Sequence, residues 1–171
     1  MKERSLALSE ALAEWRLWAV DALRDHDGWE TCYMDWPKVA RLTWELLREP
    51  DLSLEEISLI AAVIGLSAED EDIADWLKAN RGAVATKTIQ SLLSSADPQV
   101  RWQVYDSLDW ADESSRAMLL HGTLDGDAYV RRRAFLRLVS FGTPPRQVLE
   151  RAESDSDDVM RDVAREILRR A

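Results

Sequence analysis

Apolar residues fall at helical spacing along nearly the whole chain, and nowhere do they alternate long enough to make a useful strand. The pattern repeats in the second half. Three stretches align: Ser95-Ala96-Asp97-Pro98-Gln99-Val100-Arg101, Asp125-Gly126-Asp127-Ala128-Tyr129-Val130-Arg131 and Asp155-Ser156-Asp157-Asp158-Val159-Met160-Arg161. The step is 30 residues each time. The register continues through Val104, Ala134 and Ala164, and through Leu108, Leu138 and Leu168. Apolar positions at i, i+4 and i+8 form one stripe of a helix. Upstream, Ile89, Leu119 and Leu149 keep the period, as do the mostly small Leu92, Gly122 and Ala152.

One such unit accommodates two helices of about 11–12 residues and their turns. The second helix of each starts at an Asp that can accept from free N–H groups of the first turn. Pro98 sits where a missing N–H costs nothing. Thr143-Pro144 opens the first helix of the last unit, and Gly142 marks the stop of the helix before it. Leu59 and Ala62 extend the period one unit upstream. There Ser53-Leu54-Glu55-Glu56 is a capping-box pattern. It opens a helix through Ile57, Ile60, Ala61 and Ile64 that ends at Gly65. Ser67 caps a second helix carrying Ile73, Trp76 and Leu77, closed by Asn80-Arg81-Gly82. This unit lacks the Asp–Val–Arg signature. Two more helices precede it. One spans about Ser5–Asp25, with Leu8, Leu12, Trp15, Ala19 and Leu23 on a face; the other runs about Pro37–Arg48, with Val39, Leu42, Leu46 and Leu47. Between them His26–Trp36 reads as a polar, aromatic loop. The expectation is one all-α structural domain: a helical cap over 1–52 and repeats over 53–171, divided 53–82 (degenerate), 83–112, 113–142 and 143–171.

Composition agrees with a folded chain. Of 171 residues, 46% are hydrophobic and 32% charged, which is a globular balance. A chain this long buries roughly 70% of its unfolded surface and needs no staples. The single cysteine, Cys32, cannot form an internal disulfide. No apolar run approaches the roughly 20 residues of a membrane span. Met1-Lys2-Glu3-Arg4 leads into an amphipathic segment rather than a signal-peptide core. A cytoplasmic setting and no membrane partner are expected.

The D-x-D-x-x-V-R-x-x-A-x-x-x-L pattern resembles the HEAT-like repeats of the short, phycobilisome-lyase type. It covers 83–171 clearly and 53–82 loosely, and it does not cover 1–52. The first clear unit departs from it, with Ser95 where the others have Asp125 and Asp155. The resemblance implies an α-solenoid of stacked antiparallel helix pairs with an irregular helical cap at the N-terminus. It also implies that Asp125 and Asp155, with Arg101, Arg131 and Arg161, are ladder residues linking neighbouring units. Helix pairs that touch only their neighbours need each joint fixed, and an Arg fork on a carboxylate supplies direction as well as energy.

Catalytic constellations are sparse. The two histidines, His26 and His121, form no His-Glu pair and no H-E-x-x-H spacing, so neither a metal nor a cofactor is expected. Cys32 has no activating neighbour by spacing, and a buried small apolar role is the usual one. The six glycines do not cluster, so no phosphate-cradling loop is visible. Some HEAT-like proteins are DNA glycosylases that hold a damaged base with Trp and Asp, and others are chromophore lyases; these are the alternative reading. Duplex binding needs phosphate neutralisation by Lys and Arg, and a net charge of -10 has the wrong sign for it. Arg131, Arg132 and Arg133 form the only basic run, of which two are expected to face solvent.

Charge separates along the chain. Residues 1–82 hold 9 Lys and Arg against 18 Asp and Glu, and residues 83–171 hold 13 against 14. Six of the eight tryptophans lie in the acidic part. Four consecutive acids, Glu69-Asp70-Glu71-Asp72, followed by Asp75, exceed what a helix N-terminus can use at about 0.3–1 kcal/mol each. The expected function is therefore non-enzymatic: a protein that binds a basic protein partner, as an adaptor or as an immunity-type inhibitor of a toxin. Trp29, Trp36, Glu69, Asp70, Glu71, Asp72 and Asp75 are the expected binding residues.

Overall fold

The computed structural model describes residues 3–22, 33–67, 72–80, 84–109 and 113–170. Among them are ten helices and no strand: α1 (Glu3–Ala22), α2 (Trp36–Leu47), α3 (Leu54–Leu66), α4 (Asp72–Ala79), α5 (Thr86–Leu93), α6 (Pro98–Ser107), α7 (Glu113–Gly122), α8 (Ala128–Ser140), α9 (Arg146–Ala152) and α10 (Asp158–Arg170). The all-α class expected from the sequence is the observed one. The second helices of the three clear repeats start at Pro98, Ala128 and Asp158, the spacing read from the pattern. The packing falls into two compact units, Met1–Gln103 and Val104–Ala171. The division lies inside α6 rather than between repeats.

In the first unit, α1 packs on α2 and α3, α2 on α3 and α4, and α3 on α5. Helix α3 is apolar on most sides because it has neighbours on most sides. Its Ile57, Ile60 and Ile64 are buried with Leu8, Leu12 and Trp15 of α1 and Val39, Leu42 and Leu46 of α2. The predicted capping box is present: Glu56 N donates to Ser53 Oγ (3.2 Å) and Ser53 N to Glu56 Oε2 (2.8 Å). At the other end of α3, Ile64 O accepts from Ser67 N and Oγ (3.2 Å each) and also from a side chain of another helix. Gln103, fully buried, donates from Nε2 to Ile64 O at 2.8 Å. Gly65 lets Asp97 approach; a Cβ there would stand 2.7 Å from Asp97 Oδ2.

In the second unit α7 packs on α8, α9 on α10, and α8 on α10. Leu119, Val130, Ala134, Phe135, Leu138, Leu149, Met160 and Ala164 are buried. Gly122 stands where its own surroundings leave no room for a side chain. A Cβ would lie 2.7 Å from Tyr105 Cε1 and 2.8 Å from Ala134 Cβ. Asp127 caps α8, its Oδ1 accepting from Tyr129 N (2.9 Å) and Val130 N (3.1 Å). Asp157 accepts from Met160 N at the start of α10 (3.0 Å). Gly142 follows α8 at φ +137, a conformation that side chains other than glycine's rarely adopt. No helix among the described residues is long and apolar enough to cross a membrane.

Candidate functional site

The expected binding residues do not assemble into one described site. Trp29, Glu69, Asp70 and Glu71 lie outside the described residues. Asp72 opens α4, its side chain also outside them. Asp75 is exposed and pairs with Lys78 one turn on at 3.2 Å. Trp36 departs from the expectation of an aromatic loop residue. It is the first residue of α2, its N–H bonds to Tyr33 O (2.9 Å), and its side chain is 5% exposed. Pro37 holds the first turn, where no donor is needed. The indole is thereby turned into the core, so Trp36 is a packing residue rather than a docking one. Tyr33, just before it, stacks at a tilt on Trp18 with ring centres 5.1 Å apart. Burial pushes the Tyr33 hydroxyl above its ordinary pKa, and the charges of Asp35 and Glu14 add to this while Lys38 opposes it.

The ladder residues have a definite geometry. In the second unit Arg131 grips Asp155, Nε to Oδ2 at 2.8 Å and Nη2 to Oδ1 at 2.9 Å. Its Nη1 turns back to Asp125 O (2.9 Å) and Gly126 O (3.2 Å). One guanidinium thus closes the turn ahead of its own helix and clamps the equivalent turn of the following repeat. The Arg131 bond holds the Asp155 carboxyl below the usual range, against the opposing effect of burial. The same bond raises Arg131. The backward half recurs in the other repeats: Arg101 Nη1 donates to Ser95 O (2.8 Å) and Ala96 O (3.0 Å), and Arg161 Nη1 to Asp155 O (2.7 Å). Arg161 also pairs with Asp158. Asp125 and Asp155 each accept, at 2.9 Å, from the N–H two residues on. Ser95 does the same for Asp97 N at 3.2 Å. The Ser in the first unit therefore keeps the turn-closing function of the Asp it replaces.

The basic run is not a solvent-facing patch. Arg132 reaches Asp157 (3.4 Å) and Arg133 reaches Asp106 (3.3 Å), as Arg131 reaches Asp155. All three cations of the run are matched by carboxylates, where two were expected to face solvent. Arg132 also lies over the Tyr129 ring at 4.6 Å. Tyr129 and Val159 occupy the same repeat position and are 39% and 40% exposed. Gln99, one repeat earlier, is exposed as well, so this position of the period faces outward in all three units.

Another surface was hidden in the sequence by its own abundance of apolar residues. Helix α1 has two apolar stripes. Leu8, Leu12, Trp15 and Ala19 are buried, whereas Leu6, Leu17 and Val20 face outward with Ala13. The signal was present at helical spacing, but only packing tells which stripe is the core.

A family model of HEAT repeats matches residues 81–169, more than half of the chain. No curated protein and no solved structure matches it. The matched span coincides with the three repeats whose turns carry the Arg and Asp geometry above. The chain belongs to the HEAT-repeat family.

Proposed function

We propose that this chain is a non-enzymatic binding protein that holds a basic protein partner through the acidic surface of its first compact unit, as an adaptor or an immunity-type inhibitor. HEAT repeats are interaction scaffolds, because stacked helix pairs expose extended faces. The observation that carries the reading is the division of charge between the units. Met1–Gln103 holds 11 Lys and Arg against 19 Asp and Glu, a net of -8; Val104–Ala171 holds 11 against 13, a net of -2. Glu3, Glu10, Asp35, Glu55 and Asp75 are exposed on the first unit. A surface of one sign speeds capture of the opposite sign and rejects like-charged competitors. Trp36 takes no part in this surface. The glycosylase alternative needs free cations for phosphate, and the Arg131–Arg133 run faces carboxylates instead.

The test uses the full chain as bait for a lysate in about 50 mM and about 500 mM salt, where the screening length falls severalfold. A basic protein bound stoichiometrically at low salt, associating far more slowly at high salt, supports the reading. The variant with Glu69, Asp70, Glu71 and Asp72 changed to their amides should capture it more slowly. An association rate indifferent to both salt and this variant overturns it.

A further inference from the structure

A groove of about 440 Å³ lies between α3, α5 and the turn before α6, all in the first unit. Ala61 and Ala62 line it on the α3 side and Ser91 and Ser94 on the α5 side, and no Lys or Arg lines it. The hydroxyls of Ser58, Ser91 and Ser94 donate back along their own helices, to Leu54 O (2.9 Å), Lys87 O (2.9 Å) and Gln90 O (3.0 Å). What they offer a ligand is therefore lone pairs. Helix α5 also ends there, and a helix C-terminus favours a cation. Asp97, in the turn, uses Oδ1 to accept from Gln99 N (2.9 Å). Its Oδ2, over Gly65, accepts no hydrogen bond from the described residues.

The repeat itself shows what such a turn holds. Asp155, Ser156 and Asp157 are the equivalents of Ser95, Ala96 and Asp97, and they bind two guanidinium groups. Arg131 takes Asp155 and the Ser156 hydroxyl (3.0 Å), and Arg132 reaches Asp157 Oδ2 (3.4 Å). Counting back two repeats from Arg131 and Arg132 gives Glu71 and Asp72. The unit ahead of the 95–97 turn thus has acids in the register where the later unit has arginines.

We infer that the groove takes an arginine side chain of the basic partner, its stem along Ala61, Ala62 and Val100 and its guanidinium on Asp97 and the serine hydroxyls. The inference rests on the basic-partner reading above and names the place where one side chain of that partner is read. Lysine carries the same charge but lacks the planar fork that spans a carboxylate and the acceptors beside it.

The probe is the peptide acetyl-Gly-Arg-Gly-amide, titrated to about 20 mM into the isotope-labelled full chain while amide resonances are followed. Saturable shifts are expected at Ala61, Ala62, Ser91 and the 94–97 turn, with a dissociation constant on the order of 1–10 mM, as befits one side chain. The lysine peptide should bind about threefold or more weakly, and the citrulline peptide, uncharged and of the same shape, should not bind. Asp97→Asn keeps the acceptor for Gln99 N and should weaken the arginine peptide about fivefold or more. Ser91→Leu should block it by filling the groove. The same spectra show that each variant is folded. Absence of saturable shifts at these amides overturns the inference, as does binding indifferent to Asp97→Asn or to Ser91→Leu, or equal binding of lysine. Shifts scattered over the acidic surface overturn the groove and leave the basic-partner reading standing. Saturable binding here, with no basic protein captured from the lysate, supports the arginine site and removes the proposed function instead.

Discussion

Replacing Arg131 by Met keeps the aliphatic stem and removes the fork, and the structure sets the size of the effect. The side chains of Arg131 and Asp155 are 16% and 10% exposed. The change deletes two charge-assisted bonds to Asp155 and the donors to Asp125 O and Gly126 O. It leaves the Asp155 carboxylate with the N–H of Asp157 at 2.9 Å and a poorly placed Ser156 hydroxyl at 3.4 Å. Stranding one partner of a fully buried pair costs about 3–5 kcal/mol. Partial access of water to this turn lowers the expectation to about 2–4 kcal/mol. With an m-value of about 2 kcal/mol/M, the urea midpoint should fall by about 1–2 M. Hydrogen exchange should rise first in α8 and α10. Arg132→Met is the control: its contact with Asp157 is a single one at 3.4 Å, with a side chain 27% exposed, and it should cost under about 1 kcal/mol. The carboxyl of Asp155 is held below its ordinary value of about 3.9. Its contribution is therefore complete above that value and is lost as pH falls through the lower folded value. The stability gap between wild type and Asp155→Asn should be constant near neutrality and close in acid. Arg131→Met costing no more than Arg132→Met would refute the clamp, and a gap that persists in acid would refute the role assigned to the charge.

Three further outcomes follow from the packing. Gly122→Ala should destabilise by about 1–3 kcal/mol in denaturant titration, because the new methyl meets the Tyr105 ring and Ala134; an unchanged midpoint would show that the ring yields freely. Ser53→Ala should cost about 1 kcal/mol and fray the start of α3 in exchange experiments, since it removes the acceptor for Glu56 N. Trp36→Ala should lower stability by about 3–5 kcal/mol, while Asp75→Asn, at an exposed position, leaves the denaturation curve unchanged; a Trp36→Ala variant as stable as wild type would return Trp36 to the surface.

Most of the fold was legible because helices and repeats are written in local order. The period of 30 placed Pro98, Ala128 and Asp158 at equivalent helix starts, and the caps at Ser53, Asp127 and Asp157 act over three residues or fewer. The resemblance carried by the Asp–Val–Arg signature singles out Arg131 and Asp155, and their side chains pair at 2.8 and 2.9 Å. The surface was less legible, because exposure depends on what the rest of the chain brings alongside. Trp36 reads as part of a polar loop until the Tyr33 carbonyl and Pro37 start a helix at it and turn the indole inward. Arg132 and Arg133 read as free cations until Asp157 and Asp106, 25 and 27 positions away, come within reach. Helix α1 shows two apolar stripes of equal standing in the sequence, and neighbours α2 and α3 cover only one. Periodicity and capping are set by residues within a turn of one another, so sequence determines them. Which apolar face is core and which charge is matched are set by residues distant along the chain, so only the tertiary structure decides them.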